Sequence, residues 1–429
     1  MHPSRWIRGR KTQLLEGRRI VVGISGSIAA VEVPRIIREL IRHGADVRAV
    51  MSPEAGRLVT PESIEFASGH APILALTGLV EHVSMLGPGE GQADLFLVAP
   101  ATANTISKIA HGIDDTPVTS FASMALGGHV PMLLAPAMHA NLGENPAVRE
   151  NLERLKHWGV EVIASQSAEG EEKIASPEEV AAAVLHRLGR APWAGRTVVV
   201  IGGASRESID EVRSITNESS GATALALASQ AYFRGARVEL WAGAFSVPIP
   251  TYLPRFDWRS VTDLIALSRR RRNTLESSDA VFVPAAISDF TLVPSTGKLS
   301  SRETRARTLQ LQRAPKVLPI LRRAVGPGTR LVGFKLEATG SEPELVIAAR
   351  ALLDASGADW VVANTRRSMG SNDTEVHVLT RSGREHRLEG PKDVVAGKLL
   401  DDLGRELSDP PAGKPTRRLR HRAGRRRPT

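Results

Sequence analysis

The chain of 429 residues contains no cysteine, which excludes disulfides and thiolate metal sites. Aromatics are scarce, 4% of the residues, so the cores must be built mainly from Ala, Val, Leu and Ile. No apolar run approaches the length needed to span a bilayer, and the basic start MHPSRWIRGRK lacks the apolar centre of a signal peptide, so the expected location is the cytoplasm. An excess of one charge sign is also missing from most of the chain. The formal net charge is +10, but residues 410–429, PPAGKPTRRLRHRAGRRRPT, hold eight Lys/Arg and no acid. The remainder is nearly balanced, 48 basic residues against 46 acidic ones. The body is therefore not a polyanion-binding surface by composition, and a role with nucleic acid is confined to the basic tail, which reads as a solvated, disordered segment.

What is present is a repeated grammar. Short β-type runs, RIVVGIS, ADVRAVMS, ADLFLVAPA, VPMLLAPAM and VEVIASQ, alternate with helical stretches, which predicts a parallel sheet covered by helices. Near LHRLGRAPWAGRTVVVIGGAS the pattern restarts, and a second series follows with ARVELWAG, DAVFVPAAIS, RLVGFKL and DWVVANT. The expected fold class is α/β, two Rossmann-like parallel-sheet, three-layer domains. Their expected extents are residues 1–190 and 191–408, with a tail over 409–429.

Both halves open with strand, glycine loop and helix. In VVGISGSIAA the small residues Gly23, Ser25, Gly26 and Ser27 stand where a strand meets a helix, a place where free amides and the helix dipole favour a phosphate. A dinucleotide turn would need further glycines and a carboxylate at the tip of the second strand. Here Ser25 and Ile28 fill the glycine slots, and the second strand ends in Met51 and Ser52. One compact phosphate monoester suits the loop better, although a purely structural turn uses the same residues. Thr102, Ala103 and Asn104 in APATANTISKIAHGIDD, and APAMHANLGENPAVREN one strand later, add polar strand ends to the same edge. An Asn at a helix start also serves as an N-cap.

With GISGSIAA, EHV, APATANTISKIAHGIDD and APAMHANLGENPAVREN, the first half resembles the flavin-dependent cysteine decarboxylases. The second half, with GGASRESIDEVRSITNESSG, PAAISDF, GKLSS, APKVL, VGFKLE and VVANT, resembles phosphopantothenate–cysteine ligase. In this order they resemble the archaeal-type bifunctional proteins of coenzyme A biosynthesis, over about residues 18 to 405. The resemblance implies FMN, its phosphate near Gly23, Ser25, Gly26 and Ser27, with Ser52, Thr102, Ala103 and Asn104 along the flavin. It implies decarboxylation of 4'-phosphopantothenoylcysteine, for which the flavin supplies the electron sink, with His82 as catalytic histidine. His139 follows Met138 where most relatives carry Asn to bind the departing carboxylate. His43, His70 and His111 are read as packing or surface residues.

For the second half the resemblance implies ligation of 4'-phosphopantothenate to cysteine through an acyl-cytidylate, with CTP as cosubstrate and Mg2+. Asn217 would contact the acyl-cytidylate with Arg213 nearby, Asp289 would recognise the nucleotide, Lys298 would offset phosphate charge and Phe334 would border the base. The family's lysines before the VVAN strand are missing from ALLDASGAD, which leaves Lys316 and Lys335 as substitutes. A flap cysteine that protonates the enethiol in relatives is missing from SQSAEGEEKIAS, residues 165–176. Glu169, Glu171, Glu172, Lys173 or water are the candidate acids. The missing cysteine also raises an alternative, a ligase joined to a decarboxylase-inactive flavin-binding scaffold. The expected assembly is a trimer-based homo-oligomer, up to a dodecamer, with FMN at subunit contacts and ligase domains paired.

Overall fold

The computed structural model describes residues 2–164, 166–168, 171–299, 308–337 and 341–408. The basic tail and Glu169 lie outside them.

The first half forms a five-stranded parallel sheet. Its spatial order is Asp46–Met51, Arg19–Ile24, Leu95–Ala101, Met132–Pro136 and Glu161–Val162. Both faces are apolar because both are covered. Ile20, Val22, Ile24, Leu95 and Leu97 point into a core closed by the helices Val33–Arg42, Pro61–Ser68 and Pro177–Arg187. Val21, Phe96 and Val98 point the other way, onto Ala103–Ala110, Pro117–Gly127 and Pro146–His157. The stretch IAAVEVPRIIRELIRHG is not one helix. It runs as a 3-10 turn, Ile28–Glu32, and becomes α-helical only at Val33–Arg42, because Pro34 has no amide to continue a helix and fits only its first turn.

A second sheet of eight strands begins at Thr197–Gly202. Six strands are parallel, in the order Arg255–Asp257, Arg237–Ala242, Thr197–Gly202, Ala280–Val283, Arg330–Glu337 and Trp360–Thr365. An antiparallel hairpin, Asp373–Thr380 and Glu385–Pro391, extends the far edge. One face packs on the helices Ala222–Phe233 and Lys392–Ser408, the other on Val261–Arg270, Val317–Ala324 and Glu342–Ser356. Trp193, 1% exposed, already belongs to this second core and donates its indole N–H to the Leu400 carbonyl at 2.9 Å.

In each sheet the strand order reverses once beside its first strand. That crevice, at the carboxyl ends of the strands, is where such sheets receive ligands.

Candidate functional site

The crevice of the first sheet lies between the ends of Arg19–Ile24 and Leu95–Ala101, and Ser25 joins them. Its buried hydroxyl donates to the Pro100 carbonyl at 2.6 Å and accepts from the Thr102 amide at 3.2 Å. Both hydroxyl functions are thereby used, so Ser25 holds the loop together. The exposed next residue, Gly26, has an amide with no acceptor among the described residues. A Cβ there would stand 2.4 Å from Glu54 Cβ, so the chain passes closer than any side chain allows. Gly23, by contrast, is buried in its strand, where a Cβ would strike the Phe96 ring at 2.8 Å. Its need for glycine is one of packing. Ser27 caps the 3-10 turn, its hydroxyl accepting from the Ala29 amide at 3.3 Å.

The neighbouring strand ends carry the rest. Buried Ser52 sends its amide to the Ile24 carbonyl at 3.0 Å and takes the Ala55 amide on its hydroxyl at 3.3 Å. Thr102 caps Ala103–Ala110 through the Thr105 amide at 3.2 Å, which leaves half-buried Ala103 and exposed Asn104 on the first turn. The Asn104 amide group has no partner among the described residues. An open glycine amide, a half-buried serine and an unspent Asn on one edge fit a phosphate-bearing planar cofactor.

His82 sits on the short helix Glu81–Leu86, its ring tilted against Phe121 at 6.4 Å. Its Nδ1 is buried and unpartnered. An unpaired buried nitrogen is costly in a finished core and fits a group that meets a ligand. His139 is exposed on the two-residue strand Met138–His139, beside Met138, which is 9% exposed. The His139 Nδ1 accepts from the Asn141 amide at 3.2 Å, which places the ring proton on Nε2, an N–H with no acceptor among the described residues. In register, His139 stands opposite Glu171 and Met138 opposite Glu172, so the segment 171–173 pairs directly onto this strand. The three histidines read as packing or surface residues are engaged elsewhere: buried His43 bonds Thr12 Oγ1 at 2.8 Å, His70 meets Asp46 at 3.2 Å, and exposed His111 lies 3.3 Å from Arg154 Nη1.

The second sheet opens into a cleft of about 600 Å3 at its carboxyl edge. Its walls are the helix start Gly221–Ala222–Thr223, the strand exit Pro284–Ala285–Ala286, Phe334, Asn364, Arg366 and Lys392. A serine again clasps the switch point: Ser205, fully buried, accepts the Ser288 amide at 2.9 Å, while its own amide reaches the Ala286 carbonyl at 3.1 Å. Gly221 has φ +79°, and a Cβ there would lie 2.3 Å from the Phe245 ring, so this helix start must be glycine.

Of the sequence candidates, Phe334 lines this cleft, and Asn217 borders it, bonding the Ala286 carbonyl through Nδ2 at 3.2 Å. Arg213, Asp289 and Lys298 stand on the loops beyond its lining. Arg213 clamps Asp210 at 2.5 Å and donates to the Leu299 carbonyl at 2.7 Å; its guanidinium, with the backbone amides of 212, 213 and 299, holds the Asp210 carboxyl well below the usual range. Asp289 accepts from Lys316 at 2.6 Å, and Lys335 pairs with Glu337 at 2.8 Å, so both substitute lysines are engaged with acids. Lys298 is exposed on the loop that follows.

The cations of the cleft are Arg366 and Lys392, which sequence reasoning missed. Lys392 opens the last helix, its ammonium donating to the Ser371 carbonyl at 2.7 Å, and burial holds its pKa below the ordinary lysine value. The only signal for it was a lysine just after the Gly-Pro pair in GPKDVV, with nothing to say that the helix begins at the cleft.

The Flavoprotein family model matches residues 8–189, and that of the DNA/pantothenate metabolism flavoprotein C-terminal domain matches residues 193–406. The coenzyme A biosynthesis bifunctional protein CoaBC of Thermococcus kodakarensis is 41% identical over 409 residues, covering 95% of this chain and 100% of that relative. The CoaBC protein of Methanocaldococcus jannaschii is 33% identical over 407 residues, with 94% and 97% covered. Among solved structures, the DNA/pantothenate metabolism flavoprotein from Streptococcus pneumoniae aligns at 22% identity and a TM-score of 0.44, over 49% of this chain and 100% of that one.

Proposed function

The chain belongs to the family of CoaBC coenzyme A biosynthesis bifunctional proteins, and from that premise we propose how its two edges divide the chemistry. It is a bifunctional enzyme with decarboxylase and ligase activities, the first carried by a flavoprotein half. The observation that carries the reading into the geometry is the 600 Å3 cleft at the second switch point, which has room for an activated nucleotide ester and brings cations to it.

In the ligase half, with the boundary taken near Ala191, the carboxylate of 4'-phosphopantothenate attacks the α-phosphate of CTP. Pyrophosphate leaves, and the cysteine amine then displaces CMP to form the amide. The amides at the start of Ala222–Phe233 and the charges of Lys392 and Arg366 favour the phosphates, while Phe334 borders the base and Asn217 the acyl phosphate. Arg213, Asp289 and Lys298 lie on loops that would reach this ester from outside the cleft lining, and Mg2+ would travel with the triphosphate.

In the first half FMN, when bound, supplies the electron sink that direct loss of CO2 from 4'-phosphopantothenoylcysteine lacks. The Gly26 amide and Ser27 would hold its phosphate, and Ser52, Thr102, Ala103 and Asn104 would flank its rings, with Gly23 and Ser25 keeping the loop in shape. His82, through its unpaired Nδ1, moves the thiol proton. His139 donates Nε2–H to the carboxylate that departs, beside Met138, in the place of an Asn amide. Proton return falls to the segment paired with Met138–His139, where Glu171 stands opposite His139. We read the enzyme as cytoplasmic, where FMN and CTP are made, and as a homo-oligomer assembled from trimers.

The test is mass spectrometry after incubating FMN-loaded protein with phosphopantothenate, cysteine, CTP and Mg2+. We expect 4'-phosphopantetheine, CMP and pyrophosphate. Accumulation of 4'-phosphopantothenoylcysteine would overturn the decarboxylase mechanism and restore the scaffold alternative. Unconsumed phosphopantothenate would overturn the ligase assignment.

A further inference from the structure

The chain has two tyrosines in 429 residues, and both lie where its halves meet. Tyr232 stacks on His186 of the first half, with centroids 4.1 Å apart and planes 11° apart, and on Tyr252 at 4.8 Å. The His186 Nδ1 lies 3.0 Å from the Tyr232 carbonyl, so Nδ1 carries a proton and donates it there. Phe233 adds contacts to Tyr252 and to His43, again from the first half, and Thr251 donates to Glu179 at 2.5 Å. Tyr232 and Tyr252 pack against the rim of the second core, and the stack carries that packing across to His186 of the first half.

The element so gripped is the helix Ala222–Phe233. Its last turn carries the stack; its first turn, Ala222 to Ala224, lines the ligase cleft about 15 Å away at 1.5 Å per residue. Arg234, just past its end, bonds the Gly397 carbonyl and Asp401 at 2.9 Å, and so ties the same end to the last helix, which brings Lys392 to the cleft. Between the halves a second cavity of about 690 Å3 is walled by Lys11, Glu39 and His43 on one side and this helix on the other, and it shares Ala222 and Lys392 with the ligase cleft. The helix packs on its sheet through Ala224, Leu227, Ala228 and Ala231, while its opposite face, with Leu225, Ala226 and Ser229, borders this cavity. On that face the aromatic stack grips its last turn.

We propose that the His186–Tyr232–Tyr252 stack is a positioning device through which the decarboxylase half sets the ligase cleft. Tyr232 and His186 are positioning residues that touch no substrate. Loosening them lets the helix shift along its length, and the nucleotide site loses its shape while its own residues stay intact. By reciprocity, nucleotide bound in the cleft steadies the junction.

The inference rests on reading the cleft as the nucleotide site. The experiment compares the full-length protein with Tyr232→Ala, Tyr232→Phe, His186→Ala and, for the cleft, Phe334→Ala. Ligation is followed against CTP concentration, and decarboxylation of supplied 4'-phosphopantothenoylcysteine is followed in the same preparations. Tyr232→Ala and His186→Ala should raise KM for CTP roughly fivefold or more, with kcat changed less and decarboxylation unchanged. Tyr232→Phe keeps the ring and should restore the wild-type KM. Unchanged KM in His186→Ala, which alters only the first half and leaves the ligase core whole, would overturn the proposal even if Tyr232→Ala failed to fold. If Phe334→Ala also left KM untouched, the failure would lie in the cleft assignment instead.

Discussion

Gly26 leaves no room for a side chain, and its amide has no acceptor among the described residues; the two facts together make it the sharpest probe of the flavin edge. Gly26→Ala must push Glu54 away or distort the turn, a strain of about 1–3 kcal/mol that weakens flavin retention roughly tenfold or more. The check is the flavin absorbance of purified protein, with ligase activity unchanged. His82 makes a complementary prediction. His82→Gln keeps a polar side chain against Phe121 but cannot exchange a proton, so decarboxylation should fall by roughly 10²- to 10⁴-fold while flavin stays bound. A loss of only a few-fold would make His82 a packing residue. Residue roles were partly legible. Glycines and hydroxyls at strand ends can be read from order along the chain, but Ser25 and Ser27 look alike in sequence. Only the fold shows that Ser25 spends its hydroxyl on Pro100 and Thr102.

At the scale of elements, the parallel strands were legible because buried strands read as continuous apolar runs bounded by turns, and every β-type run quoted above contains a strand of one of the two sheets. The hairpin Asp373–Thr380 and Glu385–Pro391 was not expected. Its first strand alternates only at its start, then is buried on both faces through Val376–Thr380, and its second carries charges at every other position, so neither matched the apolar template. The last segment of the first half, VEVIASQ, yielded only the two-residue strand Glu161–Val162, because it lies at the sheet's edge with one neighbour. The helix Ala222–Phe233 gives the element-level prediction. It packs so close to its sheet that a Cβ on Gly202 would stand 2.1 Å from Ala224 Cβ. Gly202→Ala forces the helix outward by its first turn, the one that lines the cleft. Ligation should fall at least tenfold, with a stability loss of about 1–3 kcal/mol, while decarboxylation persists. The paired assays on one preparation check it, and equal loss of both activities would mean global unfolding instead.

Across the whole molecule, what the sequence could not display is the junction, because it joins residues as distant as His43, His186, Tyr232 and Lys392, none marked as a site in its own segment. Its charged wall sets a dependence on pH. Glu39 is 2% exposed; burial pushes its carboxyl up, but hydrogen bonds from His43, Lys11 and Arg42 and the charge of Lys11 outweigh that and bring it down to about 2, from 4.5. A carboxyl lowered on folding binds fewer protons in the native state. Its contribution is therefore complete above about pH 4.5 and is lost as pH falls from 4.5 towards 2. Lys11 and Arg42 are 46% and 36% exposed, so solvent screens the network and its worth is about 1–2 kcal/mol at neutral pH. Glu39→Gln should lower the denaturation midpoint by that amount at pH 7, and the gap between the two proteins should close as pH falls through this window. A gap that stayed constant down to pH 3 would mean that Glu39 acts there by shape alone, and its charge would then have no part in holding the segment from Lys11 to Thr12 against the helix Val33–Arg42.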